Sequence, residues 1–215
     1  MDRDWNTNCE INKLICSSDF PYLQPWFYNH PYALRCELGL GCGRKEYLKN
    51  ARKRAWEIFN ILFSNNVDAI FFDYWINDWF EMDKISKNII KDSIEKIKIA
   101  AKWINNYPHT VVRGLTNGET KEDIQFRSRI VCYIRDKKIN YRKLIKYNTT
   151  DKIIYSPFTP FSFVSFQNEC IMSIYDDRGC DIVFANKEKM CEFYSKLKPY
   201  LFDYDMEEME RRVIY

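Results

Sequence analysis

Residues 162–185 read SFVSFQNECIMSIYDDRGCDIVFA. Two short apolar runs, Ser162–Phe166 and Cys170–Tyr175, lie close enough to pair as strands, and Cys180–Ala185 returns as a third. Between the second and third sits Asp176-Asp177-Arg178-Gly179. That string has the chemistry of a tight turn: Asp bonds nearby backbone, and Gly accepts positive φ. Short connections of this kind point to a mostly antiparallel sheet. Downstream, Asn186 is placed to cap a helix over Lys187–Lys198, with Met190, Phe193, Tyr194 and Leu197 inward. Pro199 limits that helix, and a last one is expected from about Asp205 to Val213.

Upstream, Tyr32–Leu40 alternates. Leu34, Cys36 and Leu38 share one side with Tyr32; Ala33, Arg35 and Glu37 share the other, which predicts a half-buried strand. Gly39, Gly41 and Gly43 mark a loop. Apolar residues then recur at three- and four-residue steps over 44–64, the clearest helix, with Asn65-Asn66 as its stop. Val67–Ile76 is a continuous apolar run, read as a central strand. A helix over 84–105, strands at Val111–Leu115 and Phe126–Arg135, a short helix at Asn140–Tyr147 and a connector at 156–160 complete the reading. Residues 1–30 form an irregular aromatic arm. The fold class is therefore α+β: one domain over 1–215, a mixed or mostly antiparallel sheet covered by helices.

The chain has 215 residues, and its 33 basic and 30 acidic side chains leave a net charge of +3. That balance lacks the strong positive excess of a dedicated nucleic-acid binder. With 46% apolar and 17% aromatic residues, and only six Gly and seven Pro, disorder and low complexity are excluded. Eight cysteines without any C-x-x-C spacing argue against a zinc knuckle and for reduced thiols. No apolar window is long enough for a membrane span. The expectation is a cytoplasmic protein with no membrane association and no cofactor.

Chemistry-bearing residues are sparse. The two histidines each adjoin a proline and read as turn residues. The string Tyr175-Asp176-Asp177-Arg178, with Asp181 beyond it, has two readings: a hairpin turn, or an acidic group with an arginine clamp. Arg52 and Arg54 on the long helix, and the row Arg127, Arg129 and Arg135, are a candidate basic surface that would meet phosphates; solvated faces are the simpler account. No metal ligand set has recognisable spacing.

Four blocks resemble an uncharacterised bacterial domain-of-unknown-function family marked by a C-terminal Tyr-Asp-Asp-Arg-Gly signature. They are Phe27–Gly39, Tyr47–Ala55, Ile174–Val183 and Leu201–Asp205. Cys36 and Cys180 depart from the commoner pattern and suit packing. The resemblance implies no activity; it implies that Tyr175, Asp176, Asp177, Arg178 and Asp181, with Arg35 and Glu37, form a network or site.

Three functions remain open. The first is a non-enzymatic protein-binding module, immunity or antitoxin-like, whose partner is a toxin from a neighbouring gene; abundant aromatics suit interfaces. The second is a Mg²⁺-dependent enzyme acting on a phosphate-containing substrate, with Asp73, Asp176, Asp177 and Asp181 as ligands and Arg178 or Arg35 as clamp. The third is a nucleic-acid binder. Three aromatic stretches, 20–32, 74–80 and 158–166, are expected to form the partner surface unless they pack on one another.

Overall fold

The computed structural model describes residues 10–11, 13–14, 26–64, 66–76, 110–115, 126–134, 139–149 and 161–214, with 72–76, 110–115 and 126–130 described as backbone. The expected helix over 84–105 and connector at 156–160 lie outside these residues, as does most of the aromatic arm. The elements in chain order are α1 (Trp26–Asn29), β1 (Ala33–Glu37), α2 (Arg44–Phe63), β2 (Ala69–Ile76), β3 (Thr110–Leu115), β4 (Phe126–Tyr133) and α3 (Tyr141–Asn148). Then come β5 (Ser162–Ser165), β6 (Cys170–Ile174), β7 (Gly179–Phe184), α4 (Lys187–Leu197) and α5 (Met206–Ile214), with single 3₁₀ turns at Lys198–Tyr200 and Asp203–Asp205.

Among the described residues the strands form one seven-stranded sheet in the order β1-β7-β6-β5-β2-β4-β3. Every pairing is antiparallel. The fold is α+β, as the hairpin-rich second half of the chain suggests. The β5-β6-β7 run is local in sequence. Its union with β1 and β2 is not, so residues far apart in the chain come into register: Arg35 with Asp181 and Leu34 with Ile182.

Period-two alternation sorts the strand residues into two faces. On one face Leu34, Cys36, Phe163, Met172, Cys180, Ile182 and Phe184 are all buried. Helices cover it. Phe163 meets Phe59 of α2 edge-on at 5.2 Å, and Phe184 stacks on Phe193 of α4 at 5.6 Å. The inward stripe of α2 is Ala51, Ala55, Ile58, Phe59, Leu62 and Phe63, the positions its periodicity marks. Each such ring contributes about 1.5–3 kcal/mol on burial.

The other face is polar in part. It carries Arg35, Ser162, Ser173 and Asp181, and all four are buried. Alternation predicts a half-buried β1, yet Ala33–Cys36 are buried on both sides. Trp26 and Phe27 of α1 supply the cover, with Trp26 packed on Phe71 of β2 at 5.9 Å. The open edge of β1 is also closed. The Arg35 carbonyl accepts from the Phe202 N–H at 3.0 Å, and the Arg35 N–H donates to Met209 Sδ at 3.3 Å. An edge strand so covered cannot template pairing with another chain.

Local chemistry explains the helix ends. Asn140 and Asn186 accept the Lys143 and Lys189 N–H groups through their side chains, as N-caps do. At the end of α2 the left-handed residue is Ser64 (φ 43°), one place before the Asn pair expected there. Trp26, Phe27, Phe161 and Phe163 are buried, so the described parts of two of the three aromatic stretches contribute to the core, while Tyr28 of the first stays exposed; the side chains of 74–80 lie outside the described set. Among the described residues no helix is long and apolar enough to cross a membrane. The six described cysteines are free thiols, and burial raises the pKa of Cys170 and Cys180 well above the ordinary value.

Candidate functional site

Arg35 on β1 faces Asp181 on β7 because the two are direct partners in the register. Its Nε donates to Asp181 Oδ1 at 2.9 Å and its Nη2 to Oδ2 at 3.3 Å, a two-pronged pair. Nη1 reaches Asp205 Oδ2 at 3.4 Å. Asp181 Oδ2 also accepts the Phe27 N–H at 3.1 Å, and Asp205 Oδ1 accepts the Tyr28 hydroxyl at 3.3 Å. The guanidinium lies 4.4 Å from the Tyr28 ring centre, 5.0 Å from Phe27 and 5.6 Å from Tyr175. Burial alone would lower the Arg35 pKa, but the hydrogen bond and charge of Asp181 outweigh it, and the group stays cationic. An arginine in this setting is expensive to desolvate and tolerable only because its donors are matched.

A second arginine locks α1 in place. Arg212 Nη1 donates to the Phe27, His30 and Ala33 carbonyls at 2.7, 3.1 and 3.3 Å, while its Nε is paired with Glu208 at 2.8 Å. His30 serves the same turn, its Nδ1 accepting the Tyr32 N–H at 3.1 Å.

The turn string divides into two roles. Asp177 is buried and paired with Arg44 at the start of α2. Asp176 accepts the Arg178 N–H at 2.7 Å through Oδ1 and the Arg178 Nε at 2.8 Å through Oδ2. The Arg178 side chain is thereby fixed while remaining 74% exposed. Burial, with Asp181 adding to it, raises the Tyr175 pKa. Gly179 has no positive φ, contrary to the turn expectation. It is glycine because a Cβ there would overlap the Tyr175 hydroxyl and sit 2.8 Å from the Cys36 carbonyl.

Above this layer opens a cleft of about 580 Å³. Trp26, Tyr175 and Phe202 supply its rings, Arg35 and Arg178 its cations, Asp176 and Asp181 its carboxylates, and Ser173 a hydroxyl. Trp26 is buried and its Nε1 has no acceptor among the described residues. Two exposed rings touch lining residues: Tyr28 (55% exposed) lies against Arg35, and Tyr204 (85% exposed) has its ring 6.4 Å from that of Phe202.

A family model described as "Domain of unknown function (DUF3885)" matches residues 14–205, which include Arg35, the 175–181 string, Asp205 and every lining residue of the cleft. The chain belongs to the DUF3885 family. No curated protein matches the chain. No solved structure matches it either.

Within this DUF3885 chain the sequence-selected residues separate. Tyr175, Asp176, Arg178, Asp181 and Arg35 come together at the cleft. Glu37 offers its backbone instead: its carbonyl accepts Arg54 Nε at 2.8 Å. Of the four carboxylates expected to share Mg²⁺, the three whose side chains are described do not form one ligand set. Asp176, Asp177 and Asp181 are each taken by a different arginine, because the strand register and the α2 N-terminus pull them apart. Among the described residues no cluster of three or more His, Cys, Asp or Glu is placed to hold a metal. The Asp73 and Arg129 backbones stand opposite each other in register, and Arg127 opposite Trp75; their side chains, and Arg135 altogether, lie outside the described set. Arg54 leaves the basic surface, since it binds two carbonyls and lies 5.1 Å from the Tyr200 ring. Trp26, Tyr28 and Asp205 entered the sequence reading only as members of the aromatic stretch 20–32 and of the block Leu201–Asp205, with no tie to Arg35. The Leu201–Asp205 block was visible, but nothing local signals that Asp205 reaches a strand 170 residues away.

Proposed function

We propose that this chain is a non-enzymatic protein-binding module, of the immunity or antitoxin kind and acting in a bacterial cytoplasm, and that it docks its partner on the rim of the Arg178 cleft. The observation that carries the reading is Arg178 itself. It is a charged, exposed side chain held in one orientation by Asp176 at the mouth of an aromatic-lined cleft. Arginine and tyrosine are the residues that dominate binding energy at protein interfaces, and preorganisation lowers the entropy cost of engaging them. Tyr28, Tyr204 and Arg178 supply that combination. Arg178 spends Nε and Nη2 on Asp176; Nη1 bonds none of the described residues, so a carboxylate of the partner is the matching group.

The test is reconstitution with the products of adjacent genes. A complex is expected, weakened at least tenfold by Arg178→Ala and by Tyr204→Ala, the loss typical of truncating an interface anchor. Absence of a complex with any adjacent product, or an affinity indifferent to both changes, would overturn the reading.

A further inference from the structure

A second cavity, of about 420 Å³, lies between α2 and α3, away from the signature. Its volume is in the range of small-molecule sites, roughly 300–1,000 Å³. Arg52, Lys53, Arg142 and Lys146 line it, against one carboxylate, Glu57. That carboxylate is already engaged, 3.8 Å from Lys53 and accepting the Tyr200 hydroxyl at 3.4 Å. Among the described residues no carboxylate pairs with Arg52, Arg142 or Lys146. The Arg52 Nε is more telling: on a half-buried side chain this atom is enclosed and has no acceptor among the described residues. A buried charged donor without a partner carries the full desolvation penalty. Four cations converging on one cavity also repel one another. An anion that supplies the acceptors offsets both costs.

We propose that this cavity is a binding site for a compact oligophosphate. Two guanidinium groups offer planar donor forks that match phosphate oxygens, and two ammonium groups add point charge. The cluster's formal excess of three positive charges, four cations against Glu57, suits linked phosphates better than a single one. Ring stacking is not the recognition mode. Trp56 is already stacked on Phe59 at 5.3 Å and carries the Arg142 guanidinium 4.3 Å from its ring centre. A nucleobase would have to displace one of them, and a phosphate chain need not.

The experiment is calorimetric titration of the whole chain with tripolyphosphate, with inorganic phosphate and a short single-stranded RNA as the other arms. Tripolyphosphate is expected to bind at least tenfold more tightly than phosphate and to raise the melting temperature, with both effects weakening as salt increases. Lys146→Gln and Arg142→Gln, on exposed helix positions, are each expected to weaken binding about tenfold or more, the value of a charge-assisted hydrogen bond, without altering the circular dichroism. Failure to bind at millimolar tripolyphosphate overturns the proposal. So does binding that both variants leave unchanged, which places the anion elsewhere. RNA binding tighter than tripolyphosphate and lost in the same variants also overturns it, in favour of a nucleic-acid surface.

Discussion

Arg35 shows how one side chain ties the sheet to the chain's two ends. It touches β7 through Asp181, the α1 segment through the Phe27 and Tyr28 rings, and the tail through Asp205. Replacing it with methionine strands Asp181 as a buried, unpaired carboxylate. The expected loss is about 3–5 kcal/mol in chemical denaturation; a change below about 1 kcal/mol would mean the network is incidental. Gly179 makes a second residue-level case. Gly179→Ala should cost about 1–3 kcal/mol by overpacking, because the Cys36 carbonyl is backbone and cannot swing aside. The sequence pattern marks Gly179 as special, but for its turn φ; the real constraint is the close approach of Tyr175, which only the fold reveals.

At the scale of elements, capping was legible and covering was not. Asn140 and Asn186 act from within one turn, so local chemistry identifies them. Asn186→Ala should lower stability by about 1 kcal/mol and shorten α4 at its start, measured by thermal denaturation and hydrogen exchange. The burial of β1's polar face depends on α1 and the 201–209 segment, and alternation alone cannot report it. Helix α3 carries a pH prediction. Burial, with Asp68 adding to it, pushes the Tyr141 hydroxyl up to about 12 from an ordinary value of 10. The raised folded-state value means the stabilisation is complete below pH 10 and is lost as pH rises from 10 towards 12. Each such tyrosine contributes a decline of at most about 1.4 kcal/mol per pH unit there. Denaturation midpoints across that window should fall, and Tyr141→Phe should make the fall shallower; an unchanged slope would contradict the assignment.

At the scale of the whole molecule, the α+β class followed from three closely spaced strand signals and two amphipathic helices. The strand order did not, since joining β1 to β7 and β5 to β2 is decided by long-range burial. The same distance effect hid the division of the Tyr175–Asp181 string. Read linearly, its carboxylates are one acidic group. Folded, Asp177 and Asp181 hold the frame, and Asp176 aims Arg178 outward. The most direct test of that division measures stability and partner affinity together on Arg178→Ala. The account predicts a partner dissociation constant raised at least tenfold and a melting temperature shifted by less than about 2 °C, as for an exposed substitution in a chain of this size. A melting temperature lowered by well over that, with affinity unchanged, would contradict it.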